Sequence, residues 1–170
     1  FAEAVRDAAR RFSVDPHFVW SIMRQESGFR PRVRSPASAV GLMQLLPSTA
    51  ERIARRLERP PEEAHALEDP RVNVLFGTWY LGALLERFDG SMALAAAAYN
   101  AGPDAVARWL EEPARRDLPL DEFVESIPYR ETRHYVKRVL ANVQTYRLVH
   151  GGPPLRLRAS LPKAKPGVDF

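Results

Sequence analysis

At 170 residues, 45% hydrophobic and 27% charged, the chain is long enough for a compact domain with its own core and polar enough to be globular. It has no cysteine, which excludes disulfides and thiolate chemistry, and no apolar run near the roughly 18 residues of a membrane span, so no transmembrane segment is expected. A formal charge of +4 and a pI near 9.8 suit an anionic polymer or surface as partner.

The opening stretch, "FAEAVRDAARRF", carries no initiator Met and no leader, and predicts a piece of a longer protein. Phe1, Val5, Ala8, Ala9 and Phe12 recur at spacings of three and four, which predicts a first helix. Asp15-Pro16 reads as N-cap and first helical residue of a second helix ending near Gly28. Residues 29–47, broken by Pro31 and Pro36, read as irregular, with a short helical turn from Gly41 to Leu45, and a small hairpin has room in 29–40 or in 111–120. Ser48 to Glu51 has the spacing of a capping box and opens a basic helix to about 58. "ERPPEEAHALEDP" reads as a loop, and Asp69-Pro70 starts the next helix, which stops before Gly90. Ser91 caps an alanine-rich helix ending at Asn100; Gly102-Pro103 breaks it and opens another through Val106, Trp109 and Leu110. A short helix over 121–126 and a long one from about 129 to 149 follow. Trp79 and Trp109 lie on apolar stripes and are expected in the core. With no convincing strand alternation, the expected class is all-α with at most a minimal hairpin. Residues 1–150 form the domain, and the Pro-rich basic stretch 151–170 forms a tail or strap.

On the second helix, Phe18, Val19, Ile22 and Met23 make an apolar stripe whose next turn falls on Glu26. Partial burial and the negative end of the helix are both expected to raise the pKa of a carboxyl placed there. Residues 27–50 hold no Asp or Glu, and Arg30, Arg32 and Arg34 alternate as a rim expected to face solvent. A carboxylic acid that keeps its proton near neutral pH is a general acid, the group that glycosidic cleavage needs to protonate its leaving oxygen. On helix pattern alone, a glutamate that caps an amide or pairs with arginine is the commoner outcome.

Four motifs shift that balance: "ESGF" at 26–29, "GLMQLLPSTA" at 41–50, "AAYNAGP" at 97–103 and "IPYRETRHYV" at 127–136. Together, in this order, they resemble the catalytic domain of soluble lytic transglycosylases, the SLT domain of the lysozyme-like superfamily, over roughly residues 1–150. The resemblance implies a lysozyme-like fold with a substrate cleft and makes Glu26 the single catalytic acid/base. It implies substrate-binding roles for Ser27, Gln44, Leu46, Tyr99, Asn100, Glu131 and Tyr135. Two departures stand out. Ser38-Ala39-Val40-Gly41 replaces a common Gly-Ala-Arg-Gly, tolerable if Ser38 has a negative φ, and Leu46 replaces a common Met. Each residue also has a plainer reading: Tyr99 as a core aromatic, Asn100 as a helix C-cap, Gln44 as surface, and Glu131 with Tyr135 as a pair one turn apart.

Most glycosidases use two carboxylates, and no second one lies near Glu26 in sequence. Substrate assistance by an acetamido group answers that shortage. The resemblance accordingly implies non-hydrolytic cleavage of the β-1,4 bond between N-acetylmuramic acid and N-acetylglucosamine in peptidoglycan, giving a 1,6-anhydromuramic end, in the bacterial periplasm or cell envelope. The alternatives are a hydrolytic muramidase on the same fold and a catalytically inactive peptidoglycan-binding module. No cofactor is expected, and the four His lack ligand spacing, so no metal is expected either. Arg52, Arg55, Arg56 and Arg59 are interleaved with Glu51, Glu58, Glu62 and Glu63, a solvated face rather than a nucleic-acid site.

Overall fold

The structure is a computed structural model that describes residues 1–166; the last four positions of the predicted strap lie outside the described residues. Among the described residues the chain forms eight α-helices and one 3-10 turn, with only isolated bridges pairing Arg34 with Val40 and Val40 with Leu45. The fold class is all-α. It resolves into two compact units, one from Phe1 to Gly82 and one from Ala83 onward.

In the first unit, α1 (Ala2–Arg11) packs on α2 (Pro16–Ser27). Asp15 caps α2 by accepting a hydrogen bond from the His17 amide at 2.8 Å, and Pro16 occupies the first position, whose amide would be unpaired in any case. Gly28 closes α2 at φ +58, a left-handed conformation that costs glycine nothing. Helix α3 (Pro47–Arg56) starts one residue earlier than its expected cap, with Leu46 as N-cap and Pro47 at N1. No side-chain cap forms there, so the Ser48–Glu51 box is not made: Ser48 is already inside the first turn. The 3-10 turn Pro61–His65 packs on α3, in a stretch whose prolines suggested only loop. Val40, Leu45, Ile53, Leu67 and Phe76 form the core of this unit, with Trp79 partly buried against it. Helix α4 (Pro70–Arg87) begins as expected, with Asp69 accepting from the Arg71 amide at 2.8 Å.

In the second unit, α5 (Met92–Ala101) is the central element. Ala93 to Ala98 are all buried, so α5 is apolar on every side, and it packs against both α6 (Pro103–Glu111) and α8 (Arg130–Val149). Alanine lets those neighbours approach the α5 backbone closely. The Ser91 hydroxyl caps α5 by accepting from the Leu94 amide. The short α7 (Leu120–Ser126) packs on α8. Residues 151–166 contain no helix or strand and are tied to this unit at several points. The Leu155 amide donates to Gln144, the Leu120 amide donates to the Ala159 carbonyl, and the Lys165 amide donates to the Arg87 carbonyl. Arg158 and Lys165 both reach Asp89, and their hydrogen bonds and charges, Arg158 foremost, hold its carboxyl below the ordinary aspartate range.

Candidate active site

Glu26 lies in the last turn of α2, half-buried. The buried row of that helix runs Val19, Ile22, Met23 and then Ser27, which is 1% exposed. At 3.6 residues per turn, position 27 lies one turn above Met23, and position 26 lies one turn above Ile22 and two above Val19, on the same apolar face. The sequence pattern placed Glu26 inside the stripe, and the structure keeps it there, half-buried in the closing turn of the helix. The Ser27 hydroxyl donates to the Met23 carbonyl at 3.1 Å, a bond that meets the need of a buried hydroxyl within its own helix. Arg30 turns back to donate from Nε to the Ser27 carbonyl at 2.9 Å, while Arg34 pairs with Glu68. Arg30, Arg32 and Arg34 are all exposed, as an outward rim requires.

The segment that follows is a knot rather than a helical turn. Gln44 has φ +49, and its Nε2 donates to the Val33 and Gly41 carbonyls at 3.0 and 2.9 Å. Gly41 (φ +84) donates its own amide to Val33. Leu46, at the mouth of α3, is 42% exposed. Ser38 has φ +64, so the condition of a negative φ is not met. The tight turn closed by the Ser38 amide on the Ser35 carbonyl and by the Ala39 amide on the Ser35 hydroxyl holds it there.

Asn73 on α4, a residue the sequence reading passed over, holds this knot in place. It is fully buried; its Oδ1 accepts from the Met43 amide at 2.7 Å, and its Nδ2 donates to the Val40 and Leu67 carbonyls at 2.9 Å each. One amide side chain thus fixes three backbone groups, and their polarity dictates which way it points. A Cβ on Gly41 would lie 2.3 Å from Asn73 Nδ2 and 2.4 Å from the Leu67 carbonyl oxygen, which explains the glycine of "GLMQ". A Cβ on Gly77 would lie 2.4 Å from the Met43 sulfur, so the same loop seats on α4 only where α4 has no side chain.

In the second unit, Tyr99 and Asn100 occupy the last turn of α5, both half-buried, before Gly102 at φ +88 ends the helix. Asn100 therefore lies within the helix, and Gly102 is the cap. The Thr132 hydroxyl donates to Asn100 Oδ1 at 2.6 Å, joining the end of α5 to the first turn of α8. Glu131 is exposed on that turn, and Tyr135, one turn later, is 8% exposed. The bond from Thr132 brings Asn100 next to the turn that carries Glu131, and leaves the Asn100 Nδ2 as the end free to donate to a ligand.

Two grooves within the units, one of about 420 Å³ beside Glu3, Asp7 and Arg71 and one of about 310 Å³ beneath residues 155–162, are lined by none of the predicted site residues. Among the described residues no helix is long and apolar enough to cross a membrane.

The profile of the transglycosylase SLT domain family matches residues 3–118, and that of the soluble lytic transglycosylase helical domain matches residues 126–154. A putative soluble lytic murein transglycosylase of Haemophilus influenzae is 42% identical over 141 residues, covering 83% of this chain and 24% of its own. The soluble lytic murein transglycosylase of Escherichia coli K12 is 38% identical over 165 residues, covering 94% of this chain and 25% of its own. Among solved structures, lytic transglycosylase Slt of Pseudomonas aeruginosa, described as an inactive glutamate-to-glutamine mutant, matches with a TM-score of 0.83 at 36% identity over 89% of this chain and 25% of its own. A 70-kDa soluble lytic transglycosylase in complex with bulgecin A matches with a TM-score of 0.85 at 34% identity over 97% of this chain and 27% of its own. The chain thus spans about a quarter of the length of these relatives. Matched over residues 3–118 and carrying the same lysozyme-like all-α fold, the chain belongs to the transglycosylase SLT domain family.

Proposed function

We propose that this chain is the catalytic part of a peptidoglycan lytic transglycosylase, with residues 1–150 as the catalytic domain and 151–170 as its strap. The observation that carries the reading is Glu26, a half-buried carboxyl in the closing turn of α2 on its apolar face, in a chain of this family. The Pseudomonas relative, inactive with one glutamate changed to glutamine, fits a mechanism that depends on a single carboxyl.

Glu26 in its protonated form donates to the glycosidic oxygen between N-acetylmuramic acid and N-acetylglucosamine, and that bond breaks. The carbonyl oxygen of the muramic 2-acetamido group closes on C1 as an oxazolinium, doing the work of a second carboxylate. The Glu26 carboxylate then takes the proton of the muramic C6 hydroxyl. The C6 oxygen displaces the acetamido oxygen from C1, leaving a 1,6-anhydro end and a protonated glutamate. No water is consumed.

Asn100, with Oδ1 held by Thr132, offers its Nδ2 to the acetamido or a neighbouring sugar oxygen. Ser27, Tyr99, Gln44, Leu46, Glu131 and Tyr135 complete the glycan-binding set. Such an enzyme works in the bacterial periplasm or cell envelope. Mass spectrometry of digested peptidoglycan tests the chemistry. Anhydromuropeptides support it; products one water heavier identify a hydrolytic muramidase; glycan binding without soluble products identifies an inactive module.

A further inference from the structure

The motif "IPYRET" contains an aromatic that the mechanism above leaves unused. Tyr129 is 53% exposed, the N-cap of α8, two positions before Glu131 and three before Thr132, which is bonded to Asn100. An exposed aromatic ring at a helix start is ordinarily loose. This one is braced: Trp109 of α6, only 5% exposed, meets it at 90° with ring centroids 5.2 Å apart. In an edge-to-face pair, Trp109 covers at most one face of Tyr129. The backbone is braced as well, since the Tyr129 carbonyl accepts the Arg133 amide at 3.0 Å and Arg133 also donates to the Ile127 carbonyl. Pro128 restricts the chain just before it.

We propose that Tyr129 is a sugar-stacking platform, its open face packing on the C–H face of an N-acetylhexosamine ring beside Glu131 and Asn100. The chemistry follows from the side chain. A pyranose presents a face of axial C–H bonds with polarised hydrogens, which matches the electron-rich face of a phenol ring. A ring already held by Trp109 and the α8 backbone loses little freedom when the sugar arrives, so more of the contact energy reaches binding. The substrate class rests on the function proposed above; the bracing of the ring does not.

The test measures affinity for N-acetylglucosamine oligomers by calorimetry in the Glu26→Gln protein, which is expected to bind without turnover. Tyr129→Leu keeps an apolar cover on Trp109 but removes the ring face, and is expected to weaken binding about tenfold, while Tyr129→Phe stays within about twofold. Thermal unfolding and the near-ultraviolet signal of Trp109 report whether the Leu variant keeps the native fold. A folded Tyr129→Leu protein that binds within twofold of its parent overturns the platform and leaves the proposed function standing. A parent that binds no glycan oligomer overturns both.

Discussion

Replacing Asn73 by alanine removes the clamp on the "GLMQ" loop. Three backbone groups bond to this side chain, but they do not suffer equally. The Val40 carbonyl keeps its second partner, the Leu45 amide at 3.1 Å, whereas the Met43 amide and the Leu67 carbonyl lose this one. A buried polar group deprived of its partner costs about 1–3 kcal/mol, so two such groups give about 4 kcal/mol. That is a large part of the roughly 5–15 kcal/mol that holds a domain together, and at about 2–4 °C per kcal/mol it lowers the melting temperature by about 8–16 °C. Urea unfolding measures the loss, and hydrogen exchange at the Met43 amide localises it. Asn73→Asp is expected to be at least as damaging, because it sets an oxygen against the two carbonyls now 2.9 Å from Nδ2. A loss below about 1 kcal/mol in Asn73→Ala, or an Asp variant as stable as the parent, would refute the clamp.

Three further substitutions probe the same framework. Gly41→Ala combines a φ of +84 with a Cβ placed 2.3 Å from Asn73 Nδ2, and is expected to cost about 3 kcal/mol or more by urea unfolding. Thr132→Val removes the hydroxyl that orients Asn100; stability is expected to fall by only about 1 kcal/mol while release of muropeptides falls about tenfold, and equal activity would sever Asn100 from the site. Asp89→Asn loosens the strap, read as faster exchange of the Lys165 amide. Because the folded pKa of Asp89 is lowered, its attachment is present above the ordinary aspartate range and is lost as pH falls through the lowered value, so the variant and the parent should converge in acid and at high salt.

What could be read from the sequence was what acts over one helical turn. Asp15, Asp69 and Ser91 each bond an amide two or three residues on, and Gly28 ends α2 through its own conformation, so pattern and structure agree there. The box at Ser48–Glu51 misled because Pro47 already satisfies the helix start. Ser38 shows the same limit: its positive φ is set by a turn with Ser35, not by its own preference. Asn73 lay out of reach because its partners are 6, 30 and 33 residues away, and nothing in "RVNVLF" marks it as a hub. Glu26 was legible as a helix-end carboxyl on the apolar face, but a period of 3.6 cannot say how deeply the closing turn of that face is buried, and there Glu26 is only half-buried.

The central claim is that one carboxyl, Glu26, moves both protons of the reaction. Its direct test is turnover of peptidoglycan by Glu26→Gln, a nearly isosteric change that keeps hydrogen bonding and removes the ionisable proton, assayed as soluble anhydromuropeptide release alongside thermal unfolding. The account predicts a melting temperature close to the parent's and a fall in rate of about 10³-fold or more, in line with losing a general acid/base that serves both steps. A folded variant that still releases anhydromuropeptides at near the parent's rate would contradict it.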